Sequence, residues 1–221
     1  MPLKKDKDAW STSGLKLLGK GEMGAAYKID ENTVLKVVND KHERFSHADF
    51  ERETMMQEIA ACVGAGPEIF DKRENMIKMR LIETFKKDKP LTVKEQEGFV
   101  EMVARLVAIG MLHNDLHYGN VGKLPGAGSK IVLFDYGLAQ LVPPPTDTLV
   151  YVQLVMAQLY TLVDNCNENN YNTFKAYCDE GNPVVDTIYG IRNNDAKTIA
   201  KLDRIRTEVQ KSFLRCLPKS K

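Results

Sequence analysis

His113-Asn114-Asp115-Leu116-His117-Tyr118-Gly119-Asn120, followed by Phe134-Asp135-Tyr136-Gly137, carries two carboxylates and a carboxamide within one short stretch of chain. A strand-loop-strand hairpin folds Asp115, Asn120 and Asp135 toward one another. Mg²⁺ takes oxygen ligands and keeps several of its waters, so one or two such groups plus phosphate oxygens suffice to hold it. One carboxylate then remains as a base. This set suits the transfer of a phosphoryl group to a hydroxyl, a reaction governed by positioning and charge neutralisation. Zinc is a poor match for His113 and His117, because no third nitrogen or sulfur ligand accompanies them.

A chain with that equipment needs a phosphate-holding element upstream. Leu18-Gly19-Lys20-Gly21-Glu22-Met23-Gly24-Ala25-Ala26 reads G-x-G-x-x-G-x-A. The same spacing fits a dinucleotide fingerprint, but that motif opens a helix. Here Tyr27-Lys28-Ile29, a turn at Asp30-Glu31-Asn32 and the apolar run Val34-Leu35-Lys36-Val37-Val38 follow instead. The expected order is strand, glycine loop, strand, turn, strand. Gly19, Gly21 and Gly24 then sit in a hairpin whose backbone N–H groups can face phosphates, and lacking a Cβ they allow close approach.

Lys36 lies mid-strand on the face shared by Val34 and Val38, by period-two alternation. An ammonium buried there needs an anion. A helix over Phe50–Val63, starting near Ser46 or His47, offers Glu51, Glu53 and Glu58. Glu53 shares a face with Phe50 and Gln57 and is the expected partner, with Glu58 as the alternative.

The order Gly loop, strand lysine, His113-x-Asp115-x-x-x-x-Asn120 and Asp135-Tyr136-Gly137 resembles the eukaryotic-type protein-kinase superfamily from Gly19 to Gly137. The resemblance implies an α+β, bilobal protein-kinase-like fold. A small antiparallel β-sheet lobe with one helix would span residues 1–82, and a reduced, mainly helical lobe residues 83–221. It also implies ATP and Mg²⁺ (or Mn²⁺) as cofactors. Asp115 would be the catalytic base, with Lys36, Glu53 and His117 also catalytic. Asn120 and Asp135 would bind metal, and Gly19, Lys20, Gly21, Gly24, Ala26, Val34, Lys36 and Met79 would bind nucleotide. Adenine would lie under Ala26 and beside Val34, near a hinge over Met79–Glu83.

The departures from that pattern carry information. Asn114 replaces an arginine that in the family receives an activation-loop phosphate, so control by loop phosphorylation is not expected. Tyr136 replaces phenylalanine. His117 stands where serine/threonine kinases carry a lysine; a histidine there is similar to choline and aminoglycoside phosphotransferases and the ubiquinone-biosynthesis kinase-like group. Either it meets the γ-phosphate when protonated or it fixes the loop backbone. The segment Leu138–Thr146, with Pro143-Pro144-Pro145, is short and lacks an A-P-E motif. Asp147 either bonds the catalytic loop or caps the next helix. The reduced size is similar to compact kinases of large DNA viruses and bacterial effectors, and to RIO and KEOPS-complex kinases. The acceptor implied is serine or threonine in a protein; a small-molecule acceptor is the alternative, and a non-catalytic nucleotide-binding scaffold is disfavoured by the intact set.

Thr92-Val93-Lys94-Glu95 is a capping box opening a helix that Gly110 ends. Ile131–Phe134 reads as a buried strand. Thr148–Val163 reads as a buried core helix too short and polar to span a membrane, and a final helix covers about Asp195–Cys216. Lys219-Ser220-Lys221 reads as a frayed tail. With 43% hydrophobic residues and a net charge of +1 over 221 residues, the chain is globular and has no general pull toward nucleic acid or anionic membranes. The polar start Met1–Asp8 lacks the apolar stretch of a secretory signal. Cys62, Cys166, Cys178 and Cys216 show no metal spacing and read as reduced thiols of a cytoplasmic protein, host cytoplasm if the source is viral or an effector.

Overall fold

The structure, a computed structural model, describes residues 10–21, 24–39, 46–85, 91–126, 130–164 and 182–216. The chain is mixed α+β. A five-stranded antiparallel sheet comprises β1 (Lys16–Gly21), β2 (Gly24–Lys28), β3 (Thr33–Val38), β4 (Ile69–Arg73) and β5 (Met76–Arg80), ordered β1-β2-β3-β5-β4. β3, rich in β-branched residues suited to a pleated surface, is the middle strand. Val34 and Val38 bury one of its faces with Phe50, Ile77 and Met79.

Phe50 comes from α1 (His47–Cys62). Ser46 Oγ accepts from the Asp49 N–H while the Asp49 carboxylate accepts from the Ser46 N–H, a capping box with aspartate in the usual glutamate position. The residues α1 buries are as often polar (Glu53, Thr54, Gln57) as apolar (Phe50, Met56, Ala60). Phe50 belongs to the core beneath the sheet, whereas Met56 and Ala60 belong to the core of the helical body.

α2 (Val93–Ala108) is the hub of that body and is opened by the expected Thr92/Glu95 box. Its face of Phe99, Met102, Val103 and Leu106 is buried. Around it pack α3 (Thr148–Asp164), α4 (Pro183–Arg192) and α5 (Ala196–Cys216). Asp147 caps α3, its Oδ1 accepting from Val150 N–H at 3.0 Å, which selects the plain-cap alternative. α3 buries Tyr151, Val152, Val155 and Leu159 but exposes Leu149 and Val150, so it is less enclosed than its composition suggests. On α5, Leu202 and Val209 are buried and Ile199, Ile205 and Phe213 pack partly against the same core.

The short strands matter most for the site. β6 (Glu83–Thr84), β8 (Val121–Lys123) and β9 (Ile131–Leu133) form one sheet in the order β6-β8-β9, while β7 (Met111–Leu112) pairs with β10 (Gln140–Leu141). Residues 113–120 therefore run from β7 to β8, and 134–139 run from β9 to β10. Because β8 pairs β9 and β7 pairs β10, both loops are tied at both ends. Gly110, at φ +75°, makes this crossing feasible: a Cβ there would run into the Val142 carbonyl oxygen.

One expectation is overturned. Cys62 and Cys216 are not reduced thiols; they form a disulfide with Cα atoms 6.3 Å apart, joining the last residues of α1 and α5. Their 154-residue separation hides the pairing from any local pattern. With it goes the thiol argument for a cytoplasmic protein. Cys166, Cys178, the Met1–Asp8 start and the Lys219–Lys221 tail lie outside the described residues. Among the described residues no helix is long and apolar enough to cross a membrane.

Candidate functional site

Lys36 sits opposite Ala26 on β2 and Ile77 on β5. Its Nζ lies 2.5 Å from Glu53 Oε1 and 3.7 Å from Asp135 Oδ1. Glu53 is only 3% exposed, and a carboxylate at that depth is costly without a cation. Burial by itself disfavours the Lys36 ammonium. Glu53 and Asp135 together outweigh that effect and hold its pKa above the ordinary lysine value. Glu51 and Glu58 turn instead toward Lys72, at 3.3 and 3.6 Å, so Glu53 is the partner of Lys36.

Asn120 is buried, and its Nδ2 donates twice to Asp115: to the carboxylate Oδ2 at 2.8 Å and to the main-chain carbonyl at 3.0 Å. This fixes the Asp115 side chain and leaves Asn120 Oδ1 as the atom able to meet a cation. His117 Nδ1 accepts from Gly119 N–H at 3.0 Å, so its hydrogen is on Nε2, 3.6 Å from Asp115 Oδ2. That separation exceeds hydrogen-bond range. The bond His117 does make is the one expected of a histidine that fixes loop backbone.

The second loop abuts the first. Phe134 N–H donates to Asn120 O at 2.9 Å, setting Asp135 next to the Asn120–Asp115 pair. Asp135 adopts φ +67° and Asn114 φ +61°. Asparagine and aspartate tolerate this left-handed region better than most residues, yet it costs a non-glycine residue about 1–3 kcal/mol and persists only where its surroundings impose it. Tyr136 is one such restraint. It is fully buried, donates its hydroxyl to Ala65 O at 3.3 Å and meets the His113 ring edge-on at 5.1 Å. Burial pushes its phenol pKa well up. Neither His113 nitrogen has a well-formed hydrogen-bond partner. Burial lowers the His113 pKa against the opposing pull of Asp115 and the nearby backbone of Phe134 and Asp115, so the ring is a neutral packing piece.

The three loop glycines differ in their roles. Gly19 pairs with Ala26, and Gly21 with Gly24, toward the turn end of the β1–β2 hairpin. A Cβ at Gly19 or Gly21 would meet nothing within 4 Å, whereas one at Gly24 would strike the Val37 carbonyl oxygen. Gly24 is therefore required for packing on β3, and Gly19 and Gly21 border open space. Lys20, between them, is exposed. Glu22 and Met23 lie outside the described residues. Val34 and Met79 are cross-strand partners, both buried, with Ala26 packed against the same cluster. Met79 Sδ also accepts from Gln57 Nε2 at 3.2 Å.

Among the described residues no group of three His, Cys, Asp or Glu side chains could hold a metal unaided. Asp135, with a side chain 45% exposed, and Asn120 Oδ1 fit an ion that completes its shell with phosphate and water oxygens, as Mg²⁺ does. Cavities of about 240 and 380 Å³ lie elsewhere, and none of these site residues lines either one.

Sequence reasoning missed Arg52 and Asn114 as contacts to the second loop. Arg52 donates to the carbonyls of Gly137 and Ala139, and Asn114 Nδ2 to that of Leu138 at 3.1 Å. Nothing in the spacing marks them, because carbonyl partners leave no trace in side-chain identity. No family model matches the sequence, and no curated protein matches it at a significant level.

Proposed function

We propose that the chain is an ATP- and Mg²⁺-dependent kinase that phosphorylates serine or threonine in proteins without activation-loop phosphorylation. In this reading the fold is bilobal and protein-kinase-like: residues 1–82 cover the nucleotide, and residues 83–221 carry the reacting loops. The observation that carries it is the Lys36 ammonium between Glu53 and Asp135, with Asp135 in turn set against the Asn120–Asp115 pair. One cation, one oriented base and two oxygen ligands then border a single site.

Lys36, oriented by Glu53, holds the α- and β-phosphates of ATP. Gly19, Lys20 and Gly21 border the space in which backbone N–H groups approach those phosphates, and Ala26, Val34 and Met79 form the apolar side facing adenine. Asp115, held by Asn120 Nδ2, takes the proton of the acceptor hydroxyl as the hydroxyl oxygen bonds to the γ-phosphorus, while the bond from that phosphorus to the β–γ bridging oxygen breaks and its electron pair leaves with ADP. Held by Asn120 Oδ1 and Asp135, Mg²⁺ or Mn²⁺ would supply charge neutralisation at the phosphate oxygens.

His117, beside Asp115, favours a second reading in which the acceptor is a small molecule. The fate of the γ-phosphate separates the two. Purified chain is incubated with Mg²⁺, γ-labelled ATP and a lysate, and the products are read by mass spectrometry. Label on serine or threonine supports the protein acceptor, and label confined to a soluble metabolite supports the second reading. ATP left intact in both fractions overturns the kinase assignment.

A further inference from the structure

We infer that Arg52 and Asn114 are positioning residues that hold the Asp135 loop in working shape by gripping three successive main-chain carbonyls. The inference rests on the kinase reading and names how that site is kept assembled. Arg52 Nη1 donates to Ala139 O at 3.2 Å and Nη2 donates to Gly137 O. Asn114 Nδ2 takes the intervening Leu138 O at 3.1 Å. A guanidinium presents several donors in a fixed fork and spans two carbonyls at once, which an ammonium on a flexible stem does not. Its bonds are charge-assisted and correspondingly strong.

The position of Arg52 gives this grip its importance. It precedes Glu53 on α1, and adjacent helical residues point about 100° apart. Glu53 therefore reaches Lys36 while Arg52 reaches the segment just beyond Asp135. One helix thus fixes Asp135 from two directions, through Lys36 and through the loop backbone. Phe134 N–H on Asn120 O and the buried Tyr136 complete the enclosure of the left-handed Asp135.

The rest of the segment is anchored in the same manner. β10 pairs with β7, Val142 N–H donates to Gly110 O at 2.8 Å, Gln210 Nε2 donates to Pro145 O at 3.2 Å and Arg206 Nη1 donates to Thr146 O at 2.7 Å. These anchors engage main-chain atoms. None of them involves a hydroxyl or any group that a modification would add, so the segment is held without a covalent signal.

Arg52→Met keeps the length of the side chain and removes its donors, Arg52→Lys returns a single donor group without the fork, and Asn114→Ala is an independent probe. Two readings are taken: the Mg²⁺ dependence of ATP turnover, and hydrogen exchange over residues 135–142 of the full chain. In Arg52→Met, kcat/KM is expected to fall about tenfold or more, as small misplacements of reacting groups do. The Mg²⁺ concentration for half-maximal rate rises, and Arg52→Lys recovers part of the loss. Exchange over 135–142 accelerates in Arg52→Met and in Asn114→Ala, while exchange in α2 does not. Wild-type Mg²⁺ dependence and exchange in both Arg52→Met and Asn114→Ala would overturn the inference. If the wild-type chain turns over no ATP, the kinase reading fails, and the exchange comparison still decides whether these two residues hold the loop.

Discussion

A histidine ring that is 1% exposed, with neither nitrogen well partnered, stays neutral in the fold and becomes a source of acid sensitivity. Burial sets the folded pKa of His113 below its usual 6.5, while the unfolded chain keeps the usual value. Between those two values the unfolded state binds more protons, so stability rises with pH there and is lost as pH falls below about 6.5. Thermal melts from pH 7 to pH 5 should show a steeper fall in Tm for the wild type than for His113→Phe, which keeps a ring against Tyr136. Parallel curves would contradict the assignment of a neutral, buried His113. Lys36 runs the other way. Its folded pKa is raised, so the stability it contributes is fully present below the ordinary 10.5 and is lost only as pH climbs through the folded value. The Lys36 ammonium is therefore charged throughout the neutral range, where the proposed chemistry needs it.

α1 shows which elements were legible and which were not. Its existence follows from Phe50 and the small and apolar residues after it, and Glu53 was identified by sharing a face with Phe50 and Gln57. Its start was less visible, because Ser46 is capped by Asp49 where the recognised box has glutamate or glutamine. α2 was read almost residue for residue, since Thr92, Glu95 and Gly110 mark both ends chemically. The two-residue strands β6, β7 and β10 have too little length for any period to register, and α4, capped by Asn182 with Pro183 at its start, goes unpredicted. The Cys62–Cys216 link was misread because its ends are brought together by packing of α1 and α5 on the shared core, which no spacing rule encodes. That link has a consequence for α1, which buries as many polar as apolar residues and so gains less from hydrophobic contact than α2. Cys216→Ser should lower the unfolding free energy by about 2–4 kcal/mol in denaturant titration. An unchanged midpoint would show that the remaining contacts hold the two helix ends unaided.

Over the whole molecule, a five-stranded sheet and a helical body meet at α1, and Glu53, Lys36, Asp135, Asn120 and Asp115 form one chain of contacts across that meeting. Glu53 holds Lys36, Lys36 faces Asp135, Phe134 bonds Asn120, and Asn120 fixes Asp115. Asp115, Asn120 and Asp135 were legible as a group because they lie close in sequence, and Lys36 because a charge amid Val34, Leu35, Val37 and Val38 stands out. The paired strands that clamp the two loops were not legible, nor were Arg52 and Asn114, whose partners are main-chain oxygens. Strand pairing ties both loops at both ends, and the proposed phosphoryl transfer would draw on such preorganisation. Mg-ATP turnover to ADP, compared between the wild type and Asp115→Asn with nucleotide affinity followed in parallel, puts this to the test. Loss of the base should slow turnover by about 10²- to 10⁴-fold with Mg-ATP binding and Tm retained. Equal turnover in the two proteins, or no Mg-ATP binding by the wild type, would contradict it.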